Sequence, residues 1–457
     1  MSELASPTRW RASSDDPAPL VRVPYPGREA RRIIERIRSV EGAGLRTSGE
    51  GWPLVIEQAH GSTLVDPDGN RFVDLHASFA VANVGHAHPA VTAAIQAQAA
   101  RLTHVSSAFG SSIRADLEEA LLAIAPTGLN RVMLGITGAD ANETALKLAR
   151  TATGRHEVIA FSGGYFGRLS GVAGLNGKKL FRQSVGLDAD AHFFPYPYPY
   201  RWRHGPGEQA GEQVLGLLEE AIESEASGIG PVAAIFVEPV QGNGGVVIPP
   251  DGFLRGLRQL CDRHGIVLVF DEIQAGFGRT GRLWAGEHWG VTPDLMTVGK
   301  GIGGGMAVSA VLGRSELMSH WRPGTHTSTF LTNALNLAAA RAAIGVMTSE
   351  KLWERSAALG RIVLERLVAE LAEVPWVGEV RGLGLFIGIE IVGDRLTKEP
   401  DRERAAAIRA AALQAGVVLG GGGHAENVIK ISPPLTIDER QLDAAIEITI
   451  RAIRGAP

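Results

Sequence analysis

The sequence predicts an α/β protein, with a large domain on a mostly parallel sheet and a smaller α+β domain after it. Three observations carry this. Short unbroken apolar runs at residues 132–136, 158–161, 232–237 and 266–271 end in glycine-rich or polar turns, as do strands buried on both faces of a parallel sheet. The amphipathic stretch 251–264 joins two of these runs into a βαβ unit, for which a right-handed crossover is expected. Beyond about residue 345 the pattern changes to helix (351–371), a strand pair around 381–392, helix (401–415) and a strand at 428–431.

At 457 residues the chain is too long for one small core and should form two or three lobes. Hydrophobic residues make up 45% and charged residues 21%, an ordinary soluble composition. A formal net charge of −4 supplies no basic field for nucleic acid or membrane. The single cysteine, Cys261, excludes an intramolecular disulfide and suits a reducing compartment. With no apolar signal core at the start and no membrane-length apolar span, a cytoplasmic protein is expected.

Residues 1–26, rich in Pro, Ser, Asp and Arg, read as an arm that orders against another surface. Residues 27–80 form an N-terminal segment expected to contribute to the small lobe. A solvated helix (27–40) leads into apolar runs split by the turn Asp66-Pro67-Asp68-Gly69-Asn70, a strong hairpin signal. The large domain is expected over 81–345 and the small C-terminal domain over 346–457. Gly85-His86-Ala87-His88-Pro89 reads as a structural turn before the helix 90–101, since no further ligand cluster joins its histidines. The strand at 132–136 breaks at Thr137-Gly138-Ala139-Asp140, ahead of a helix from Thr144 to Thr151. Small residues there leave backbone N–H groups able to hold an anion. In Gly163-Gly164-Tyr165-Phe166-Gly167-Arg168 an aromatic flanked by glycines can lie flat over a planar ring, or can simply pack in the core. Residues 191–202 read as a stiff extended loop. Residues 307–313 form a further strand, followed by an alanine-rich helix from about 333 to 348.

The stretch from 266 to 306 organises the chemistry. The run ending in Asp271 and the run ending in Lys300 both finish at the carboxyl ends of strands, where open α/β sheets bind ligands. Asp271 could be a helix N-cap, but Glu-Ile-Gln-Ala-Gly-Phe-Gly-Arg-Thr-Gly after it is too glycine-rich for that. Lys300 lacks the Ser or Thr that would follow a P-loop lysine. An amine and a carboxylate facing each other over a glycine-rich floor suit pyridoxal 5'-phosphate, which needs a lysine and an acidic partner for its ring nitrogen.

These marks resemble those of the class III aminotransferases, the pyridoxal-phosphate enzymes of the ornithine, 4-aminobutyrate and ω-amino-acid type. The resemblance spans about residues 50–450 and rests on motifs in the family's order: 66–74 with Gly85 to Pro89, 137–150, 237–281, 297–305 and 428–437. It implies a fold type I transferase that moves an amino group from a primary amine or ω-amino acid to a 2-oxo acid by a ping-pong cycle. Lys300 would be the Schiff-base lysine and the general base, and Asp271 the partner of the ring nitrogen. Gly138 and Ala139 would hold the phosphate, Tyr165 and Ile273 would cover the two ring faces, and Gln274 would lie near the ring hydroxyl. Thr329 would reach the phosphate of a neighbouring subunit, which makes a homodimer the expected assembly. Glu238 matches an acidic residue beside the substrate that can pair with a carboxylate-binding arginine. Lys430 stands where the family has that arginine, and lysine lacks the bidentate fork. Phe166 replaces a usual His, Asp140 a usual Glu, Leu331-Thr332 a Gly-Gly pair, and Ser78 a Gly. Racemases, epimerases and decarboxylating enzymes share the scaffold and are the alternative. A non-enzymatic regulator would be expected to carry an added DNA-binding domain, for which the N-terminal arm leaves no room.

Overall fold

The computed structural model describes residues 18–45, 53–183 and 191–457. Of the expected N-terminal arm, residues 1–17 lie outside the described residues, and 18–26 lie along the chain's own small lobe. There Leu20 pairs with Arg71, Asn70 Oδ1 accepts the N–H groups of Arg22 and Val23, and Tyr25 is buried.

The large lobe is a seven-stranded sheet made of β4 (Arg131–Gly135), β5 (Glu157–Phe161), β6 (Ala191–Phe194), β7 (Val232–Val237), β8 (Val267–Asp271), β9 (Leu295–Val298) and β10 (Ser309–Gly313). Their spatial order is β4-β10-β9-β8-β7-β5-β6. Strands β6, β5, β7, β8 and β9 pair in parallel, whereas β10 runs antiparallel to both β9 and β4. The reason is chain length: the link from β9 to β10 is too short for the crossover that a parallel pair needs. Every residue of β7, β8, β9 and β10 is buried, as their unbroken apolar runs require.

Two readings change in this lobe. Residues 191–194, expected in a stiff loop, form the parallel edge strand β6, half-buried along its length. An edge position tolerates the prolines that follow, because its outer side needs no ladder bonds. The helix expected from Thr144 begins six residues earlier and runs Gly138–Thr153. Thr137 caps it, its Oγ1 accepting the Asp140 N–H at 3.2 Å, so capping overrides the turn propensity of Gly138.

The small lobe holds a second seven-stranded sheet. Its N-terminal part is β1 (Gln58–His60), β2 (Thr63–Val65) and β3 (Arg71–Leu75). Its C-terminal part is β11 (Val377–Leu383), β12 (Phe386–Ile391), β13 (Val417–Gly422) and β14 (Val428–Ile431). The order is β1-β2-β3-β13-β14-β12-β11. The hairpin β2–β3 closes over the Asp66–Asn70 turn, where Asp66 Oδ1 accepts the N–H groups of Asp68 and Asn70. Parallel pairing of β3 with β13 joins the two ends of the chain in one sheet. In the 85–89 turn, His86 Nε2 lies 2.8 Å from Asp74 Oδ2 and His88 caps the helix Pro89–Ala99. Between the lobes, the fully buried Arg279 donates to the carbonyls of Leu385 and Pro433 and to Asn83 Oδ1.

Candidate active site

Parallel pairing sets Asp271, the last residue of β8, level with Thr297 of β9. Past β9 the chain turns sharply, and Lys300 opens a short 3-10 turn with φ of 45°. Asp271 and Lys300 thus face one cavity of about 430 Å³, as the strand ends predict. Gly138, Ala139, Tyr165, Glu238, Ile273 and Gln274 line the same cavity.

The two carboxylates on the floor are both hydrogen-bonded. Asp271 Oδ1 accepts the Ile273 N–H at 2.9 Å and Oδ2 accepts Asn142 Nδ2 at 2.8 Å. Burial pushes the Asp271 carboxyl up from the ordinary range, while these two donors and the Lys300 charge pull it back. Burial pushes the Lys300 amine down, against the pull of Asp271 and Glu238. The carboxylate of Glu238 accepts the N–H groups of Tyr165 at 3.0 Å and Gly242 at 2.9 Å. Burial first, and then the neighbouring Asp271, raise its pKa.

The wall opposite is the N-terminus of the helix Gly138–Thr153. The N–H groups of Asp140 and Ala141 are taken by Thr137. Those of Gly138 and Ala139 donate to no acceptor among the described residues, so a first helical turn is open to an anion. A Cβ on Gly138 would fall 2.9 Å from Ile273 Cδ1, so glycine lets the helix end approach the floor without displacing the Ile273 side chain. Tyr165 is half-buried and meets Phe181 edge-on at 5.2 Å, whereas Phe166 is a core residue packed on Phe236. An amine, a carboxylate, a phosphate-sized anion seat and an aromatic face around one cavity make a donor set that fits pyridoxal phosphate.

Two residues singled out in the sequence stand outside this cavity lining. Thr329 is exposed and lines a second cavity of about 660 Å³ with Ser107, Arg114 and Leu134. Lys430, on β14, is 2% exposed and lies behind the loop after β7, its Nζ 3.4 Å from the Gly242 carbonyl. Burial and the charges of Lys300 and Lys178 push its pKa down to about 8. Glu238 and Lys430 are not a direct ion pair: the backbone of Gly242 stands between them, its N–H donating to Glu238 and its carbonyl accepting from Lys430.

The sequence reading passed over Arg168 and Asn142. Arg168 lines the cavity, is exposed, and lies 4.6 Å above the Phe181 ring. Its guanidinium donates to no acceptor among the described residues. The available signal was a cation in the same glycine-flanked turn as Tyr165. Asn142 sits one helical turn beyond Gly138, a spacing that places both on the helix face toward the cavity.

The family profile described as aminotransferase class-III matches residues 46–453. The acetylornithine aminotransferase of Methanothermobacter thermautotrophicus is 38% identical over 87% of this chain and 93% of its own length. The leucine/methionine racemase of Thermococcus litoralis is 36% identical over 92% of this chain and 95% of its own. An amine transaminase from an uncultivated Pseudomonas species, solved in its PLP-bound form, superposes with a TM-score of 0.84 at 30% identity. That match covers 92% of this chain and 98% of the other. The chain therefore belongs to the class III aminotransferases and is a pyridoxal-phosphate-dependent transaminase.

Proposed function

We propose that Lys300 and Asp271 carry the transamination, and that the donor or acceptor bears an anionic group met by Arg168 at the mouth of the cavity. The observation that supports this reading is the placement of Asp271 at the end of β8 and of Lys300 in the turn after the neighbouring β9, both lining the cavity with Gly138 at the open helix terminus. When bound, pyridoxal phosphate supplies a ring that takes up the electron pair left as a proton leaves the amine-bearing carbon.

Lys300 Nζ would hold the cofactor and, once freed, would serve as the base that moves the proton of the substrate carbon. Burial favours its neutral form, which a base requires. Asp271 would keep the ring nitrogen protonated, and the N–H groups of Gly138 and Ala139 would hold the phosphate. Tyr165, Ile273 and Gln274, which line the cavity, would confine the ring. Glu238 orients the Tyr165 turn through the Tyr165 N–H and stands beside the substrate. Lys430 adds positive potential from behind Gly242.

A homodimer, with Thr329 serving the neighbouring subunit, is part of this reading. Phe109 and Phe330, 64% and 57% exposed, are large apolar side chains of the kind a second subunit covers. A fully active monomer in sedimentation would exclude the shared site. Action in the cytoplasm, on small amines and 2-oxo acids, accords with the lone buried thiol of Cys261.

Racemisation is the second reading, favoured by the likeness to the Thermococcus litoralis racemase. Here Lys300 would take the proton from one face of the substrate carbon, a proton would be returned on the opposite face, and no oxo acid would accumulate. One enantiomer of an amino acid, incubated with pyruvate, separates the two: stoichiometric oxo acid supports transfer, and its mirror image without oxo acid supports racemisation. For the site itself, borohydride reduction followed by peptide mapping is expected to find the cofactor on Lys300, and Lys300→Ala to fold without a covalent link. A label on any other lysine would overturn the assignment.

A further inference from the structure

Asn142 stands where four parts of the site meet. It lies in the first turns of the helix Gly138–Thr153 and is 1% exposed. Its Nδ2 donates to Asp271 Oδ2 at 2.8 Å and to the Phe166 carbonyl at 3.1 Å. Its Oδ1 accepts the Thr297 hydroxyl at 2.8 Å, and Thr297 is fully buried beside Asp271 on β9. One amide thus joins the phosphate-facing helix, the end of β8, the end of β9 and the turn that carries Tyr165. Both Nδ2 hydrogens are engaged and face acceptors, so the amide has one workable orientation, and the Thr297 donor on Oδ1 enforces it.

We propose that Asn142 is the positioning residue of this site, setting through one amide both the proton affinity of Asp271 toward the cofactor ring and the seat of the Tyr165 turn, with Thr297 fixing the amide's orientation. The inference rests on the reading of Asp271 as partner of the ring nitrogen. The physical ground is the donor count. Asp271 receives two N–H bonds, from Ile273 and Asn142. Each stabilises the carboxylate over the acid, so removing one makes Asp271 more basic and draws the shared proton from the ring nitrogen toward it. A residue that merely filled space would not move that proton.

The test reconstitutes the full-length protein with pyridoxal phosphate labelled with nitrogen-15 in the ring. The ring-nitrogen resonance and the cofactor dissociation constant are then read together. The parent protein is expected to show a protonated ring nitrogen at neutral pH. Asn142→Ala is expected to shift the resonance toward neutral pyridine and to weaken cofactor binding about ten- to a hundredfold, the range for one bond to a charged group. Thr297→Val should shift it the same way by less, and Thr297→Ser, which restores the hydroxyl, should return it to the parent position. An unchanged resonance in both Asn142→Ala and Thr297→Val, whatever happens to thermal stability, overturns the proposal. Should Asn142→Ala fail to fold, Thr297→Val against Thr297→Ser decides. Asp271→Asn separates the two layers: if it leaves the ring nitrogen protonated, the reading of Asp271 fails. If it alone moves the resonance, only the role of Asn142 does.

Discussion

The floor of the cavity and the layer of Gln241, Asn243 and Lys430 beyond its lining are built on opposite plans. On the floor, Asp271, Glu238, Asn142 and Thr297 are all buried and all hydrogen-bonded. On the other side, Lys430 has one long contact to a carbonyl, and Gln241 Oε1 and Asn243 Nδ2 are buried without a partner among the described residues. Buried polar groups left unpaired are costly. The contrast teaches where each task lies. Bond chemistry needs fixed dipoles that do not reorganise, while selectivity needs groups that a correct substrate satisfies.

The largest effect should come from breaking the floor. Asp271→Asn keeps the size and removes the charge, and turnover should fall by about a hundred- to a thousandfold, the usual cost of one preorganised electrostatic partner. Circular dichroism should show the fold retained. A loss under tenfold would mean that the floor is no more sensitive than the wall.

Next comes Arg168→Met, which keeps the stem over Phe181 and deletes the guanidinium. The efficiency with an acceptor bearing a second carboxylate should fall about ten- to a hundredfold. The first half-reaction with a simple amine should hardly change, and stopped-flow comparison of the two half-reactions reads this directly. Equal losses in both would place Arg168 with the cofactor instead.

Lys430 gives a pH-dependent effect. Its pKa is depressed to about 8, so the ammonium is present below that pH and lost above it. Apparent affinity for 2-oxoglutarate should therefore weaken as pH rises from 7 to 9, while that for pyruvate stays flatter. Lys430→Arg remains charged throughout, so it should remove this slope and improve 2-oxoglutarate relative to pyruvate by about tenfold. An unchanged acceptor preference would make Lys430 a structural residue of the small lobe.

The smallest effect concerns the turn between the two regions. Ala77, Ser78, Phe79 and Ala80 all have φ between 47° and 67°, and this turn packs on the one that carries Lys300. Four successive non-glycine residues in the left-handed region are strained. Ser78→Gly should relieve ~1 kcal/mol, seen as a modest rise in calorimetric melting temperature. Destabilisation instead would show that the Ser78 side chain holds this segment.

By itself the sequence determined the two-lobe α/β plan and the chemical pair at its centre. A strand buried on both faces leaves an unbroken apolar run, so β7, β8 and β9 announce themselves locally, and Asp271 and Lys300 mark their ends. Helix Glu439–Arg454 and strand β13 went unread, the latter because its glycines mask a strand held by neighbours rather than propensity. Tertiary structure alone decided three other matters. It brought Asn142 to Asp271 across 129 positions of sequence, put the Gly242 backbone between Glu238 and Lys430, and set Thr329 in a separate cavity. Local pattern reports which side of an element is dry. Which polar atoms meet depends on how separate elements pack, and that is written in no single stretch of the chain.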